Sequence, residues 1–314
     1  MKGSSSVSSQ CRHGANIQEF APPRTAMNGD HDLRDAAWLR TLAHSCPCCR
    51  APIDVPREHD TRCNRCGFSA KLIRGIPSFA SRGSPENDWQ DLFDRLASGP
   101  DGDTFAAVEY RSPLQQRYIV AAFRDLCGQV EPGERILDVG CGNGVFWHQL
   151  FGDRTTVGVD YSVAMCMRAS ARGMTAYHSD ALALPFADEQ FDLVYAAEIA
   201  QYFDNLSALC TELARVCRPG GRIVLSTLNR TSLIRRVAKF VRKFKPLPPQ
   251  LAQRPNFSRT AEEIDAAIRD SSATLDAVCW THFPLPWRRY TPLKSGNAES
   301  LASNIVVRLI KRAV

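Results

Sequence analysis

The fold of this chain is decided by the stretch Arg135-Ile136-Leu137-Asp138-Val139-Gly140-Cys141-Gly142-Asn143-Gly144-Val145-Phe146. Its first part is an apolar run with a single acid, which predicts a short strand buried on both faces, as in parallel sheets. Three glycines at alternate positions then predict a turn that leaves room for a ligand against the backbone, followed by a helix. Because ligands of open α/β sheets bind at the carboxyl ends of strands, we expect a binding site at this turn.

The chemistry of this turn differs from that of a dinucleotide site. Its glycines are spaced G-x-G-x-G, whereas a pyrophosphate site has G-x-G-x-x-G in front of a helix. Asp138 lies just before the first glycine, where a carboxylate would repel a phosphate but suits a ligand that carries an ammonium group. This pattern resembles the first motif of class I S-adenosylmethionine (SAM)-dependent methyltransferases. A glycine-rich turn is also found as a purely structural turn, so the rest of the chain has to support the resemblance.

Length and composition bound the class of protein. A chain of 314 residues, 44% of them hydrophobic, has room for one α/β domain and a small accessory module. The net charge of +6 permits an anionic partner without requiring one. The sequence has no apolar run of the roughly 18 residues that span a bilayer, and its first residues have no apolar signal-peptide core, so we expect a cytoplasmic protein. In that compartment its 12 cysteines predict metal ligands and buried thiols rather than disulfides.

Two C-x-x-C pairs near the N-terminus predict a zinc site. Each pair offers two thiolates from one tight turn, and two pairs complete a tetrahedron. We assign the ligands as Cys46, Cys49, Cys63 and Cys66, with Cys48 as a spare thiol. Such a Zn2+ is coordinatively closed and therefore structural, with a redox pair or a chance cluster as the alternative. The segments Gly67-Phe68 and Arg74-Gly75-Ile76-Pro77-Ser78-Phe79 resemble the end of Trm112-like zinc ribbons, small modules that occur beside methyltransferases.

The predicted domain order is an extension, a zinc ribbon, a connector and a catalytic domain. Residues 1–38 are polar and aperiodic and predict a disordered extension; residues 39–82 form the ribbon. Residues 83–128 predict a helical connector, and in similar methyltransferases helices at this position cap the SAM pocket. Residues 129–314 alternate strands with helices, which predicts a doubly wound, Rossmann-like α/β fold, and the resemblance implies seven strands, the last one antiparallel. We predict these strands at 136–139, 155–160, 175–178, 191–196, 222–227, 275–282 and 305–310.

Residues that follow the second, third and fourth strands supply the remaining cofactor signals. Asp160 ends the second strand about twenty residues beyond the glycine turn, a spacing that suits hydrogen bonds to ribose hydroxyls. After the third strand, the resemblance implies that Asp180 accepts from the exocyclic amine of adenine. The edge formed by Ala197 and Glu198 faces the methyl donor in the family. The resemblance thus implies that SAM contacts Asp138, Gly140, Cys141, Gly142, Asn143, Gly144, Asp160, Tyr161, Ser162, Asp180, Ala181, Ala197 and Glu198.

Methyl transfer from a sulfonium mainly requires alignment of nucleophile, methyl group and leaving sulfur. A base is needed if the acceptor is a hydroxyl, and the candidates near the donor edge are Glu198, Tyr202 and His178, of which His178 is as readily a packing residue. The segments 198–203 and 226–231 resemble ubiquinone-type O-methyltransferases, in which the first segment reads E-x-x-E-H. This chain keeps Glu198 but has Gln201 and Tyr202 at the later two positions, which departs from the family pattern.

The basic insertion at 230–257 is the feature that the methyltransferase pattern does not explain. Apolar residues recur at helical spacing between 233 and 244, and most positions between them are Arg or Lys. This pattern has three interpretations. The helix is a lid with a solvated basic face, it binds an anionic membrane surface through 232–245, or it binds RNA phosphates.

Three functional hypotheses follow from the sequence. The first is a methyltransferase for a small, apolar or lipid-like acceptor, methylated at oxygen by an enzyme that is cytoplasmic or peripheral to the membrane. The second is an rRNA or tRNA base methyltransferase that holds RNA with its ribbon and basic helix. The third is a non-enzymatic SAM-binding or ribbon interaction protein, against which the intact glycine turn and both acids argue. The sequence leaves the oligomeric state open.

Overall fold

The computed structural model describes residues 37–80, 87–99, 102, 113–152, 154–241, 257–269, 271–282 and 302–313. The extension predicted for residues 1–38 therefore lies outside the described residues except at its last two positions. There Trp38 is buried, with its ring edge-on to Phe191 of the catalytic domain at a centroid distance of 6.3 Å. Parts of the predicted connector and most of the basic insertion beyond residue 241 also lie outside the described residues.

Within the described ranges, ten strands form one continuous sheet in the order β1-β2-β3-β6-β5-β4-β7-β8-β10-β9. The five central strands, β6, β5, β4, β7 and β8, run parallel to one another, whereas β10 is antiparallel to both β8 and β9. This confirms the predicted doubly wound sheet with an antiparallel last strand. The bounds are β1 Thr61–Arg62, β2 Ser69–Ile73, β3 Ile76–Ser78, β4 Ile136–Val139, β5 Thr156–Asp160, β6 Thr175–His178, β7 Phe191–Ala196, β8 Cys217–Leu228, β9 Ala273–His282 and β10 Ala302–Lys311.

Helices lie on both faces of the sheet. The described helices are α1 Asn87–Ser98, α2 Pro113–Cys127, α3 Val145–Phe151, α4 Val163–Ala171, α5 Leu206–Val216, α6 Leu233–Val241 and α7 Ala261–Arg269. None of these helices has the length and apolarity that a membrane span requires. Polar caps fix where two of them begin, since Ser162 Oγ accepts from the Met165 N–H at 3.1 Å and Asn205 Oδ1 accepts from the Ala208 N–H at 3.1 Å.

The strand β4 is covered on both faces, as its apolar run predicts. Ile136 packs in a cluster with Phe123 of α2 and Leu150 of α3. The next residue, Leu137, points to the opposite face and packs in the cluster that contains Leu213 of α5. Because successive side chains of a strand alternate between faces, two adjacent apolar residues are buried only where helices cover both sides.

The fifth strand of the catalytic domain begins earlier than predicted. We predict it at 222–227, but β8 begins at Cys217, which pairs with Phe191 of β7. A register shift between Phe191 and Leu193 accommodates the extra residues of the Arg218-Pro219-Gly220-Gly221 reversal. The reversal is therefore an irregularity inside a strand pair rather than a loop in front of the strand.

The predicted ribbon, which contains the four-cysteine segment, extends the sheet. Its strand β3 pairs in parallel with β6 through Ser78 and His178, and the Phe79 N–H donates to the His178 carbonyl at 2.8 Å. On the other side of the ribbon, the Arg50 guanidinium donates to both carboxylate oxygens of the buried Glu212 at 3.1 and 2.9 Å. The ribbon and the catalytic domain thus share both backbone pairing and a bidentate ion pair.

Candidate active site

A cavity opens at the carboxyl ends of the parallel strands, where the glycine turn predicts a ligand site. All of the predicted cofactor residues except Gly144 line it, and so do Tyr202 and residues of the helices α1, α2 and α3. The further lining residues are Trp89, Gln90, Phe93, Ile119, Phe146, Val159, Ser179, Ile199 and Phe203. Gly144 instead caps α3 with a left-handed φ of 77°. The topology therefore brings residues from six separate segments to one cavity.

The glycine turn is held by the neighbouring strand and leaves no space for a side chain. The N–H groups of Gly140 and Cys141 donate to the Val159 carbonyl at 2.7 and 3.0 Å. Gly140 has a φ of 78°, and a Cβ atom there would lie 2.2 Å from Cγ2 of Ile199. Only glycine fits here, because it adopts a positive φ without strain and has no Cβ to collide with Ile199, which lines the cavity.

Asp138 lies at the bottom of the cavity and is almost fully buried. The Tyr195 hydroxyl donates to its Oδ2 atom at 2.6 Å. Burial raises the pKa of Asp138 from the usual 3.8 to about 8; the Tyr195 hydrogen bond lowers this pKa, and the nearby Asp160 raises it. A buried carboxyl with so high a pKa is stabilised as a carboxylate by a cation, so the ammonium group of a ligand suits this position.

The raised pKa of Asp138 predicts a pH-dependent stability. In the folded state Asp138 keeps its proton up to a pH of about 8, whereas in the unfolded state it releases the proton near pH 4. The free energy of unfolding therefore falls as the pH rises from about 4 to about 8. We expect Asp138→Asn, which still accepts from Tyr195, to remove this slope, so that the melting temperatures of wild type and variant diverge towards pH 8. Thermal unfolding across that range measures the effect, with Asp265→Asn as a surface control. Parallel curves for wild type and Asp138→Asn would contradict the assignment.

Asp160, the last residue of β5, is bonded to the glycine turn and to the turn that precedes α4. Its Oδ2 accepts from the Gly142 N–H at 2.9 Å, and its Oδ1 accepts from the Ser162 N–H at 2.8 Å. Burial raises the pKa of Asp160 to about 6, although the N–H groups of Ser162 and Gly142 oppose this rise. Each carboxylate oxygen has a second lone pair, so the group can accept from two hydroxyls of a ligand without losing its backbone contacts.

Asp180, followed by Ala181, is the third carboxylate that lines the cavity. The Leu182 N–H donates to Oδ1 of Asp180 at 2.8 Å, which fixes the carboxylate on a tight turn after β6. Burial raises the pKa of Asp180, while the Leu182 N–H lowers it. The fixed carboxylate remains at the cavity wall as an acceptor for an amine.

Glu198 adopts a conformation that is unusual for a residue with a side chain. Its φ is 60°, in the left-handed region, and its side chain is buried. The carboxylate Oε1 accepts from Ser226 Oγ at 2.9 Å and from Asn304 Nδ2 at 2.7 Å, and the Glu198 N–H donates to the same serine at 2.8 Å. Backbone strain of this kind persists only where surrounding contacts determine it, and it occurs at functional sites. Asn304 is a site residue that was not predicted from the sequence; the signal for it is an amide directly before the apolar run Ile305-Val306-Val307 of β10.

An aromatic wall forms a further part of the cavity lining. Trp89 and Phe93 of α1 lie beside Tyr202, with centroid distances of 4.4 and 5.9 Å from the tyrosine ring. Ile119 and Phe146 continue this apolar surface. Helix α1 thus forms one part of the cavity wall.

His178 does not line this cavity. Its Nε2 lies 3.1 Å from the Tyr161 carbonyl, and its Nδ1 lies 2.8 Å from Ser78 Oγ. Because a carbonyl only accepts, Nε2 carries the proton and Nδ1 accepts from the Ser78 hydroxyl. Burial lowers the pKa of His178, so the ring stays neutral. These contacts place His178 between the ribbon and Tyr161, which lines the cavity, whereas His178 itself does not line it.

The four cysteines assigned to zinc form one cluster. Their Sγ atoms all lie within 4.8 Å of one another, with 3.5 Å between Cys46 and Cys66 and also between Cys49 and Cys63. Zn–S bonds of about 2.3 Å in a tetrahedron require S–S distances of this size. The N–H groups of Cys66 and Arg65 lower the pKa of the Cys63 thiol to about 6, which favours a thiolate ligand. Cys48 is exposed and lies outside the cluster.

The strand order, the glycine turn and the acids at the carboxyl ends of β4, β5 and β6 together define a class I SAM-dependent methyltransferase domain. Comparison with known proteins agrees, because residues 137–225 match the sequence model of a family described as methyltransferase domain. This part of the chain is a methyltransferase domain of that family.

The chain is similar to several characterised proteins over part of its length. It is 35% identical over 123 residues to a malonyl-[acyl-carrier protein] O-methyltransferase of Erwinia billingiae, covering 36% of this chain and 49% of the relative. It is 35% identical over 119 residues to a demethylmenaquinone methyltransferase of Mycolicibacterium paratuberculosis, covering 38% of this chain and 51% of the relative. The matched part thus spans about half the length of these curated relatives.

A solved structure extends the likeness beyond the matched sequence. It is a Thermotoga maritima protein described as a SAM-dependent methyltransferase and possible histamine N-methyltransferase, with a TM-score of 0.53 and 21% identity. The alignment covers 71% of this chain and 99% of that protein, and it shows a shared fold.

Proposed function

We propose that this protein transfers a methyl group from SAM to a small, apolar or lipid-like acceptor, and that the methylated atom is oxygen. The observation that carries the proposal is the composition of the cavity, which fixed carboxylates and a group of aromatic side chains line together. The carboxylates suit a charged adenosine derivative, and the aromatic side chains suit an acceptor with apolar surface. SAM supplies an electrophilic methyl group on its sulfonium.

The carboxylates have separate tasks in this proposal. Asp138 holds the ammonium group, Asp160 the ribose hydroxyls and Asp180 the adenine amine, while the glycine turn lets the backbone lie against the cofactor. These contacts fix the reacting centre in the cavity, and alignment contributes most of the catalysis in a displacement of this kind.

Glu198 is the residue that we assign to the acceptor. Ser226 and Asn304 hold its carboxylate at the cavity wall, so it can accept a hydrogen bond from an acceptor hydroxyl and draw its proton away. Tyr202 shares this wall and would orient the acceptor ring by stacking. The malonyl-[acyl-carrier protein] O-methyltransferase and the demethylmenaquinone methyltransferase among the relatives support an oxygen acceptor and a lipid-like acceptor, respectively.

The test of this proposal uses radiolabelled SAM with two pools of acceptors. One pool contains hydroxylated apolar compounds such as phenols, hydroquinones and fatty acids, and the other contains tRNA and rRNA. We expect label in a product that organic solvent extracts and that mass spectrometry identifies as an ether or ester. Label found in RNA alone would refute the proposal and favour base methylation.

The aromatic wall predicts a selective effect of Trp89→Ala. Because this substitution removes stacking area that only the acceptor uses, we expect KM for the apolar acceptor to rise about tenfold or more. The affinity for S-adenosylhomocysteine, measured by calorimetry, should change little. Trp89→Phe keeps a ring at this position and should retain most of the affinity for the acceptor. An unchanged KM in Trp89→Ala would place the acceptor elsewhere.

A further inference from the structure

Helix α6, Leu233–Val241, is a part of the catalytic domain that the methyl-transfer site does not use. It follows β8 directly and therefore lies at the same edge of the sheet as the cavity. Its first turn is fixed by the buried Ser232, whose Oγ accepts from the Arg235 N–H at 3.3 Å and whose carbonyl accepts from the Arg236 N–H at 3.0 Å. The helix has an anchored start, so the direction of its faces is set by the fold.

Three large apolar side chains of this helix are exposed. Leu233, Val237 and Phe240 are exposed by 51%, 55% and 60%. Their spacing of four and then three residues places them in one row on the helix surface. Among the described residues, the other large apolar side chain that is exposed is Met167, at 38%. A surface helix of a globular protein normally turns such a row towards the core, so this row is an apolar contact surface.

Positive charge borders this surface. Arg236 lies three residues after Leu233 and four before Phe240, so its exposed side chain flanks the apolar row. The helix sequence contains Arg235, Arg236 and Lys239 but no acid, and the chain continues with further basic residues at 242, 243 and 245. An occupant of this surface therefore needs negative charge together with an apolar layer.

We propose that α6 docks on the surface of an anionic lipid bilayer. A bilayer offers both properties at the correct depth, since its headgroups carry phosphates and its acyl chains lie just below them. Leu233, Val237 and Phe240 enter the boundary between headgroups and acyl chains, while Arg236 stays at the level of the phosphates. RNA would neutralise the arginines but would leave the apolar row in water. The docking stands independently of the methyl-transfer proposal, because it requires no cofactor and no turnover.

The experiment is co-sedimentation of the full chain with phosphatidylcholine vesicles that contain or lack phosphatidylglycerol. We expect binding to be at least about tenfold stronger with the anionic lipid, and Arg236→Glu to weaken it about fivefold or more, because one basic side chain at a membrane surface contributes about fivefold and the substitution also adds a negative charge. Val237→Ser should weaken it to a similar extent, since a valine leaves the apolar layer. The matched controls are Arg57→Glu, on the exposed surface of the ribbon, and Met167→Ser, on α4; both should bind vesicles as wild type does.

Several outcomes would overturn this inference. These are no vesicle binding by wild type, equal binding with and without phosphatidylglycerol, or equal losses in the controls and in the α6 variants. RNA binding that Arg236→Glu abolishes, in a protein that ignores vesicles, would also overturn it. Because S-adenosylhomocysteine binding is measured separately on the same variants, failure of vesicle binding leaves the methyl-transfer proposal unaffected.

Discussion

Replacing Asp160 by alanine should lower the affinity for S-adenosylhomocysteine by about 100-fold or more. The carboxylate is expected to accept from two ribose hydroxyls, and hydrogen bonds to a charged group contribute about 1.5–3 kcal/mol each, with about 1.4 kcal/mol for every tenfold in affinity. The substitution also releases the N–H groups of Gly142 and Ser162, which hold the two turns beside the ligand. Both effects weaken binding, so isothermal titration calorimetry should detect little or no heat at ligand concentrations that saturate wild type.

Two further variants separate these effects. Asp160→Asn keeps the shape of the side chain and one acceptor oxygen, so its affinity should fall between that of wild type and that of Asp160→Ala. Asp265→Ala removes a surface acid that pairs with Arg269 and should bind as wild type does. Zinc content, measured by atomic absorption, should be equal in all of them. Wild-type affinity in Asp160→Ala would refute the assignment of the cavity to SAM.

Replacing Cys63 by serine should remove the metal and destabilise the protein. Cys63 is one of four thiols in a closed cluster, and a structural zinc contributes its binding free energy directly to folding. We expect the variant to hold less than a tenth of the wild-type zinc. Its melting temperature should fall by roughly 10 °C, because loss of such a metal costs several kcal/mol and a domain of this size shifts by about 2–4 °C per kcal/mol.

The matched control for this prediction is Cys48→Ser, because Cys48 is an exposed thiol of the same segment outside the cluster. Its zinc content and melting temperature should equal those of wild type. The structure adds a local readout: amide hydrogens of β6 should exchange faster in Cys63→Ser, since β3 pairs with this strand. Equal zinc content in Cys63→Ser and Cys48→Ser would show that the cluster is not a zinc site.

Local sequence patterns predicted the parts of the fold that depend on local chemistry. The apolar run 136–139 predicts a buried strand, the alternate glycines predict a turn, and the spacing of Asp160 from that turn predicts the end of the next strand. The structure places all three where these patterns predict. The same holds for the two C-x-x-C turns, whose thiols the structure brings within one cluster.

Contacts between distant segments left no such signal. Tyr195 donates to Asp138 from 57 residues away, and Asn304 donates to Glu198 from 106 residues away. The pairing of Ser78 with His178 similarly depends on the register of two separate domains. A strand pattern indicates which face a residue occupies but not which element lies opposite, so the environment of these side chains required the tertiary structure.

The position of the ribbon at the end of the sheet has a consequence for solubility. Without it, the end of β6 at His178 would expose backbone groups that now pair with Ser78 and Phe79, and exposed strand edges are templates for intermolecular pairing. With it, that side of the sheet terminates in Thr61–Arg62, an edge of only two residues that carries a basic side chain. Because natural sheets avoid aggregation with very short, charged edges, we expect a chain without the ribbon to self-associate more readily.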